Sequence, residues 1–188
     1  MKKMKKIMAL MLAAIMMMAM SVTAFAAEGA TGTLTLTVNA KGGQDLNGQT
    51  INLYKLFDVT ESGTTGSKNY AYTVNTETGY KDALVSVLTE AGKTVTAGSK
   101  DEEFATAVFD IGINDSTEVQ NFANKFTAYA LKNSLVATAT SGKITEENKT
   151  SYTFNNLAAG YYLVYVTGGK EIQSSLVTVD ETTNTVNL

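Results

Sequence analysis

The chain has no cysteine, no histidine, no proline and no tryptophan, and arginine is missing as well. Each absence closes off a kind of chemistry. Without cysteine there are no disulfides, although small exported domains commonly depend on them, so the fold must rest on packing or on another cross-link. Without histidine the commonest general acid–base group is lost, and without either residue zinc and related metals lose their usual ligands. Without arginine, and with 15 lysines against 18 acidic residues, there is no basic face to neutralise a phosphate backbone or an anionic membrane surface. No phosphate loop is present either: Gly42-Gly43 has neither the spacing nor the following Lys-Ser/Thr.

The start of the chain is a different kind of sequence. Lys2, Lys3, Lys5 and Lys6 precede an apolar run from Ile7 to about Met20, which ends in SVTAFAA. A charged start, a short apolar core and a small-residue Ala24-Phe25-Ala26 site predict a secretory signal peptide over 1–26, cleaved after Ala26. The leader holds four of the lysines and none of the acids, leaving 11 lysines against 18 acids and a net charge near −7. No second long apolar run follows, so no membrane association is expected after cleavage.

Residues 27–32, AEGATG, predict a flexible lead-in. From there the pattern is mainly of period two. TLTLTVNA (33–40) alternates Thr with Leu and Val, INLYKLFDVT (51–60) alternates again, and YAYTVN (70–75) gives a third strand. Asn47-Gly48 marks a turn between the first two. In the second strand, strict alternation places Ile51, Leu53, Lys55, Phe57 and Val59 on one face and Asn52, Tyr54, Leu56 and Asp58 on the other.

YKDALVSVLTEA (80–91) has helical spacing, and short strands are expected at 94–96 and 107–111. The clearest helix is DSTEVQNFANKFTAYALKNS: Asp115 and Glu118 form a capping box, and Val119, Phe122, Ala123, Phe126 and Ala130 form an apolar stripe. Strand-like segments follow at 136–141, 151–157, 160–168 and 174–188. The pattern predicts a mostly β chain, a β-sandwich over 33–188 with a helical insertion of one or two helices. Asp101-Glu102-Glu103 and Glu146-Glu147 lack the spaced oxygen ligands and fixed glycine of a calcium loop and read as solvated charge. No cofactor, metal or nucleic acid is implied, and no constellation points to an enzyme.

Four of the nine tyrosines sit in one stretch, SYTFNNLAAGYYLVYVTGG (151–169). The pattern Tyr-Thr-Phe-x-x-Leu-x-x-Gly-Tyr-Tyr-Leu-Val resembles the late hairpin of the collagen-adhesin B-type, prealbumin-like domains of Gram-positive surface proteins. With GTLTLTVNA, LYKLFDVT, NYAYTVN, NFANKFTAYALKNS, VATAT and SSLVTVDETTNTVNL in family order, the chain from about Gly32 to Leu188 resembles the N-terminal domain of a sortase-assembled major pilin. The resemblance implies an Ig-like, prealbumin-like sandwich and a secreted structural fimbrial subunit of a pilus shaft, located at the cell surface and cell wall and serving adhesion. Its partners would be other pilin subunits and, if the native chain is longer, a sortase. No Leu-Pro-x-Thr-Gly sorting signal is possible in a sequence without proline. The alternative is a secreted, adhesin-like binding module that recognises a host or matrix ligand through loops on a rigid scaffold.

The resemblance also implies a candidate intramolecular isopeptide bond. Family domains often join a strand lysine to an asparagine on the last strand, helped by a buried acid. Lys55, placed between Leu53 and Phe57 on an apolar face, and Asn187 are the candidates, with Asn184 as second choice. The family's acid position reads Tyr165-Val166 here, so the acid is unassigned. Asp58 is close in sequence, but alternation turns it to the opposite face from Lys55.

Overall fold

The computed structural model describes residues 33–188 apart from 43, 65, 66, 115, 170–172 and 182. The expected signal peptide and lead-in, and the expected cap residue Asp115, lie outside the described residues.

Among the described residues, eight strands and three helices follow in the order β1 (Leu34–Asn39), β2 (Thr50–Thr64), β3 (Ser67–Val74), α1 (Tyr80–Glu90), α2 (Asp101–Asn114), α3 (Ser116–Asn133), β4 (Ala139–Lys143), β5 (Ser151–Leu157), β6 (Gly160–Thr167), β7 (Gln173–Val179) and β8 (Thr185–Asn187). They form two sheets. The smaller runs β5-β1-β8, and the larger runs β3-β2-β6-β7 with β4 also paired to β2. All pairings are antiparallel except that of β1 with β8.

The alternating side chains build two cores. Leu36 and Val38 of β1, Phe154 and Leu157 of β5 and Val186 of β8 meet Ile51, Leu53, Tyr162, Val164, Val166 and Val179 of the larger sheet, so the two sheets pack face to face. On its other face the larger sheet presents Tyr54, Leu56, Phe57, Tyr161, Leu163 and Tyr165 to the helices, which contribute Leu84, Leu88, Phe104, Val108, Phe122 and Phe126. β6 therefore lies in the middle layer, and every residue from Gly160 to Val166 is buried. Its tyrosines fill both cores. The Tyr161 ring stands edge-on to Phe109 at 4.8 Å, and the Tyr162 hydroxyl donates to the Ala158 carbonyl at 2.8 Å. Burial of large rings with a polar tip satisfied locally is what a strand covered on both faces requires.

Two expectations are corrected. Among the described residues the helices number three rather than one or two, because the segment expected to hold a short strand at 107–111 is α2, and the strand expected at 94–96 is not formed in the connection between α1 and α2. Phe104, Val108 and Ile111 recur at i, i+4 and i+7 and are all buried, which outweighs the β-branched composition. The Glu103 carboxylate accepts from the Lys100 backbone N–H at 2.8 Å and closes the first turn, with Asp101 and Glu102 beside it at the positive end of the helix. That backbone bond is the main reason the Glu103 carboxyl sits below its ordinary pKa. The second correction is at the C-terminal end, where 174–188 holds two strands in different sheets. A turn separates them: Asp180 N donates to Thr183 O at 3.2 Å, and Thr183 N donates back to Asp180 Oδ1 at 2.6 Å.

Candidate functional site

Lys55 lies where β2 breaks its own alternation. The register of β2 against β6 slips between Lys55 and Phe57, and Leu56 and Phe57 both enter the helix-side core. One extra residue in a strand shifts the phase of everything after it. Asp58 is thereby carried onto the face of Lys55, contrary to the alternation expected from sequence. The Lys55 ammonium meets Asp58 Oδ1 at 2.6 Å.

Hydrogen bonds tie down the slip. Lys55 N donates to Thr138 Oγ1 at 2.9 Å, and Lys55 O accepts from Asn75 Nδ2 at 2.8 Å. Asn75 N donates to Leu56 O at 3.0 Å, while Asn75 Oδ1 accepts from Glu77 N at 2.9 Å. Asn75 is only 3% exposed, so this amide is a buried neutral clamp. On β6 the residue opposite Asp58 is Gly160. The stem of Lys55 lies against its Cα, and a Cβ there would stand 2.9 Å from Lys55 Cγ, Lys55 Cδ and the Phe57 carbonyl oxygen. Nearby, the Tyr162 hydroxyl is pushed well above its ordinary pKa, first by burial and then by the Asp58 carboxylate.

The candidate bonding pair is divided between the two sheets. Lys55 belongs to the larger sheet and Asn187 to the smaller. Asn187 stands opposite Asn39 in the parallel β1–β8 register and accepts a hydrogen bond from Asn39 Nδ2 at 2.9 Å. Asn184 is engaged locally, its Oδ1 accepting from Thr185 Oγ1 at 3.2 Å and its backbone O from Thr37 N at 2.8 Å. Tyr165 and Val166 are buried on opposite faces of β6 and supply no carboxylate. What the lysine has is an acid partner, Asp58, on its own strand. Lys55 is 15% exposed and Asp58 43%, so the pair is partly wet and its attraction is of the order of 1 kcal/mol or less.

The other acidic spots are used at the surface. Glu146 pairs with Lys149 at 2.6 Å, and Asp101, Glu102 and Glu103 open α2. Among the described residues no cluster of three or more acidic side chains is arranged to hold a metal, and no helix is long and apolar enough to cross a membrane. Shallow pockets remain. One of about 290 Å³ lies between β3 and the start of α2, lined by Tyr70, Tyr72, Lys100 and Glu102 among others. Another, also about 290 Å³, lies between β7 and helices α2 and α3.

Asn39, Asn75 and Thr138 were not singled out from the sequence. Their partners lie 148, 20 and 83 residues away, and only the register of paired strands brings them together. No family model matches the chain, and a search of the curated proteins finds no match.

Proposed function

We propose that the chain is a secreted structural module of a Gram-positive surface fibre: a fimbrial, pilus-shaft subunit or its N-terminal domain, with a prealbumin-like, Ig-related sandwich carrying the helices as an insertion. The observation that carries this reading is the use made of the motif residues. Tyr161, Leu163 and Tyr165 pack under the helices, while Tyr162, Val164 and Val166 pack between the sheets. The Lys and Asp that could have offered chemistry neutralise each other. A chain whose distinctive residues go into two cores is suited to holding a shape rather than to turning over a substrate. Its partners are further subunits of the same fibre and, for a longer native chain, the sortase that joins them.

The test is an immunoblot of wall extracts boiled in detergent, using an antibody to residues 27–188. A ladder of high-mass species supports the shaft reading. A single band at the mature mass, mostly in the medium, overturns it. The second reading, a free binding module, is favoured by one observation, the uncharged pocket beside β7.

A further inference from the structure

Among the described residues, the outer edge of β7 is an unused row of backbone hydrogen-bonding groups. β7 pairs with β6 from Gln173 to Val179, and no described strand lies on its other side. Among the described residues its backbone makes no bond beyond that ladder. Exposed edges are normally blunted by lysine, proline, a bulge or shortness. The sequence QSSLVTV has no charge and no proline, its register shows no slip, and it is seven residues long.

The pocket beside β7 abuts the middle of this same edge. Its wall is Gly112 and Val119 on the helix side and Ser174, Ser175 and Leu176 on the strand side, with Tyr161 as its floor. Among the described residues no charged side chain lines it. Tyr161 is 7% exposed, and its contacts among the described residues are rings: Phe57, Tyr72 and Phe109. Its hydroxyl has no hydrogen-bond partner there. A Cβ added to Gly112 would stand 3.4 Å from that hydroxyl and 3.6 Å from Leu176 Cδ1, so the hydroxyl faces the pocket. The hydroxyl is open to the pocket, and a neutral polar group entering there gains a hydrogen bond with it.

We propose that the β7 edge binds an extended, uncharged peptide strand as an addition to the larger sheet, with one hydroxyl- or amide-bearing side chain seated on Tyr161 in the adjoining pocket. The edge supplies main-chain hydrogen bonds, and the period of two of an added strand turns alternate side chains toward the pocket. The lack of charge on both the strand and the pocket selects the occupant: a carboxylate or ammonium placed between Val119 and Leu176 would be desolvated without a partner. The inference does not depend on the shaft reading.

The experiment is an anisotropy titration of the purified protein with a fluorescein-labelled decapeptide of alternating threonine and alanine. Saturable binding is expected. It should vanish when alternate peptide amides are N-methylated, and fall at least about tenfold for alternating glutamate and alanine. Tyr161→Phe should weaken it about five- to tenfold, the loss of one hydrogen bond. Gly112→Ala should weaken it too, while folding at least as well because alanine is the better helix former. Absence of saturable binding overturns the proposal. So does binding indifferent to N-methylation, or binding unchanged in both variants. A dimer by sedimentation that excludes the peptide would assign the edge to a second copy of the chain and likewise overturn it.

Discussion

Gly160→Ala is the sharpest test of how β2 and β6 fit together. A Cβ at this position stands 2.9 Å from three heavy atoms, closer than real Cβ contacts come. Two of them, Cγ and Cδ of Lys55, belong to a flexible stem that can swing aside by giving up its ion pair with Asp58. The third is the Phe57 carbonyl oxygen, fixed in the strand next to the register slip. Overpacking of this kind costs about 1–3 kcal/mol. We expect about 2 kcal/mol, read as a lower urea midpoint at constant m-value and as a melting temperature reduced by about 4–8 °C for a domain of this size. Repeating the substitution in a Lys55→Ala background separates the two obstacles. The lysine share should disappear, and a penalty of about 1 kcal/mol from the carbonyl should remain. A parent-like midpoint for Gly160→Ala would refute the packing argument. Full rescue by Lys55→Ala would refute the role given to the carbonyl.

Asn75→Ala leaves the Lys55 carbonyl without its buried donor and should cost about 2 kcal/mol, whereas Asp58→Asn should cost no more than about 1 kcal/mol; urea titrations that reverse this order would show that the ion pair, not the amide, holds the slip. Intact mass of the exported protein should match the unmodified sequence, since Lys55 and Asn187 are engaged by Asp58 and Asn39; loss of one ammonia, abolished in Lys55→Ala, would refute this. Burial lifts the Tyr80 hydroxyl to about 12 and pushes Tyr161 and Tyr162 up as well. Because the folded values lie above the unfolded one near 10, the stability they carry is complete below about pH 10 and declines as pH rises toward 12. A urea midpoint that stays flat across that window, while tyrosinate absorbance rises, would contradict the burial.

The strands were legible where one face is apolar and the other is not. β1, β3 and β5 match their predicted spans to within a few residues; in β1 Leu36 and Val38 alternate with threonine, and in β5 Tyr152 and Phe154 alternate with Thr153 and Asn155. Helix α1 was legible through Ala83, Leu84, Val87 and Leu88. α2 was hidden by its valine, isoleucines and phenylalanines, which favour strands until the i, i+4, i+7 spacing is weighed against a layer that can receive it. The split between β7 and β8 was hidden because Thr183 of its turn looks like a strand residue. At the candidate site, Lys55 was found as an odd charge on an apolar strand, but its partner was misplaced. A register slip is a property of two strands and has no signature in one. The Asn39–Asn187 pair was out of reach for the same reason, since parallel neighbours at the two ends of the chain leave no local trace.

That parallel pairing governs how the fold would respond to tension. With β1 and β8 side by side and pointing the same way, the chain comes in at one pole of the smaller sheet and leaves at the other. A pull through the flanking segments therefore slides the two strands along each other instead of peeling them apart. The bonds across the seam, Thr37 N to Asn184 O, Leu188 N to Asn39 O and the Asn39–Asn187 amide contact, are strained together and not in turn. Resistance to stretching is thus concentrated in a strand of three residues with Val186 as its buried anchor, and the first thing to yield under tension is the last strand, which takes Val186 out of the core between the sheets while the helix-side core stays closed.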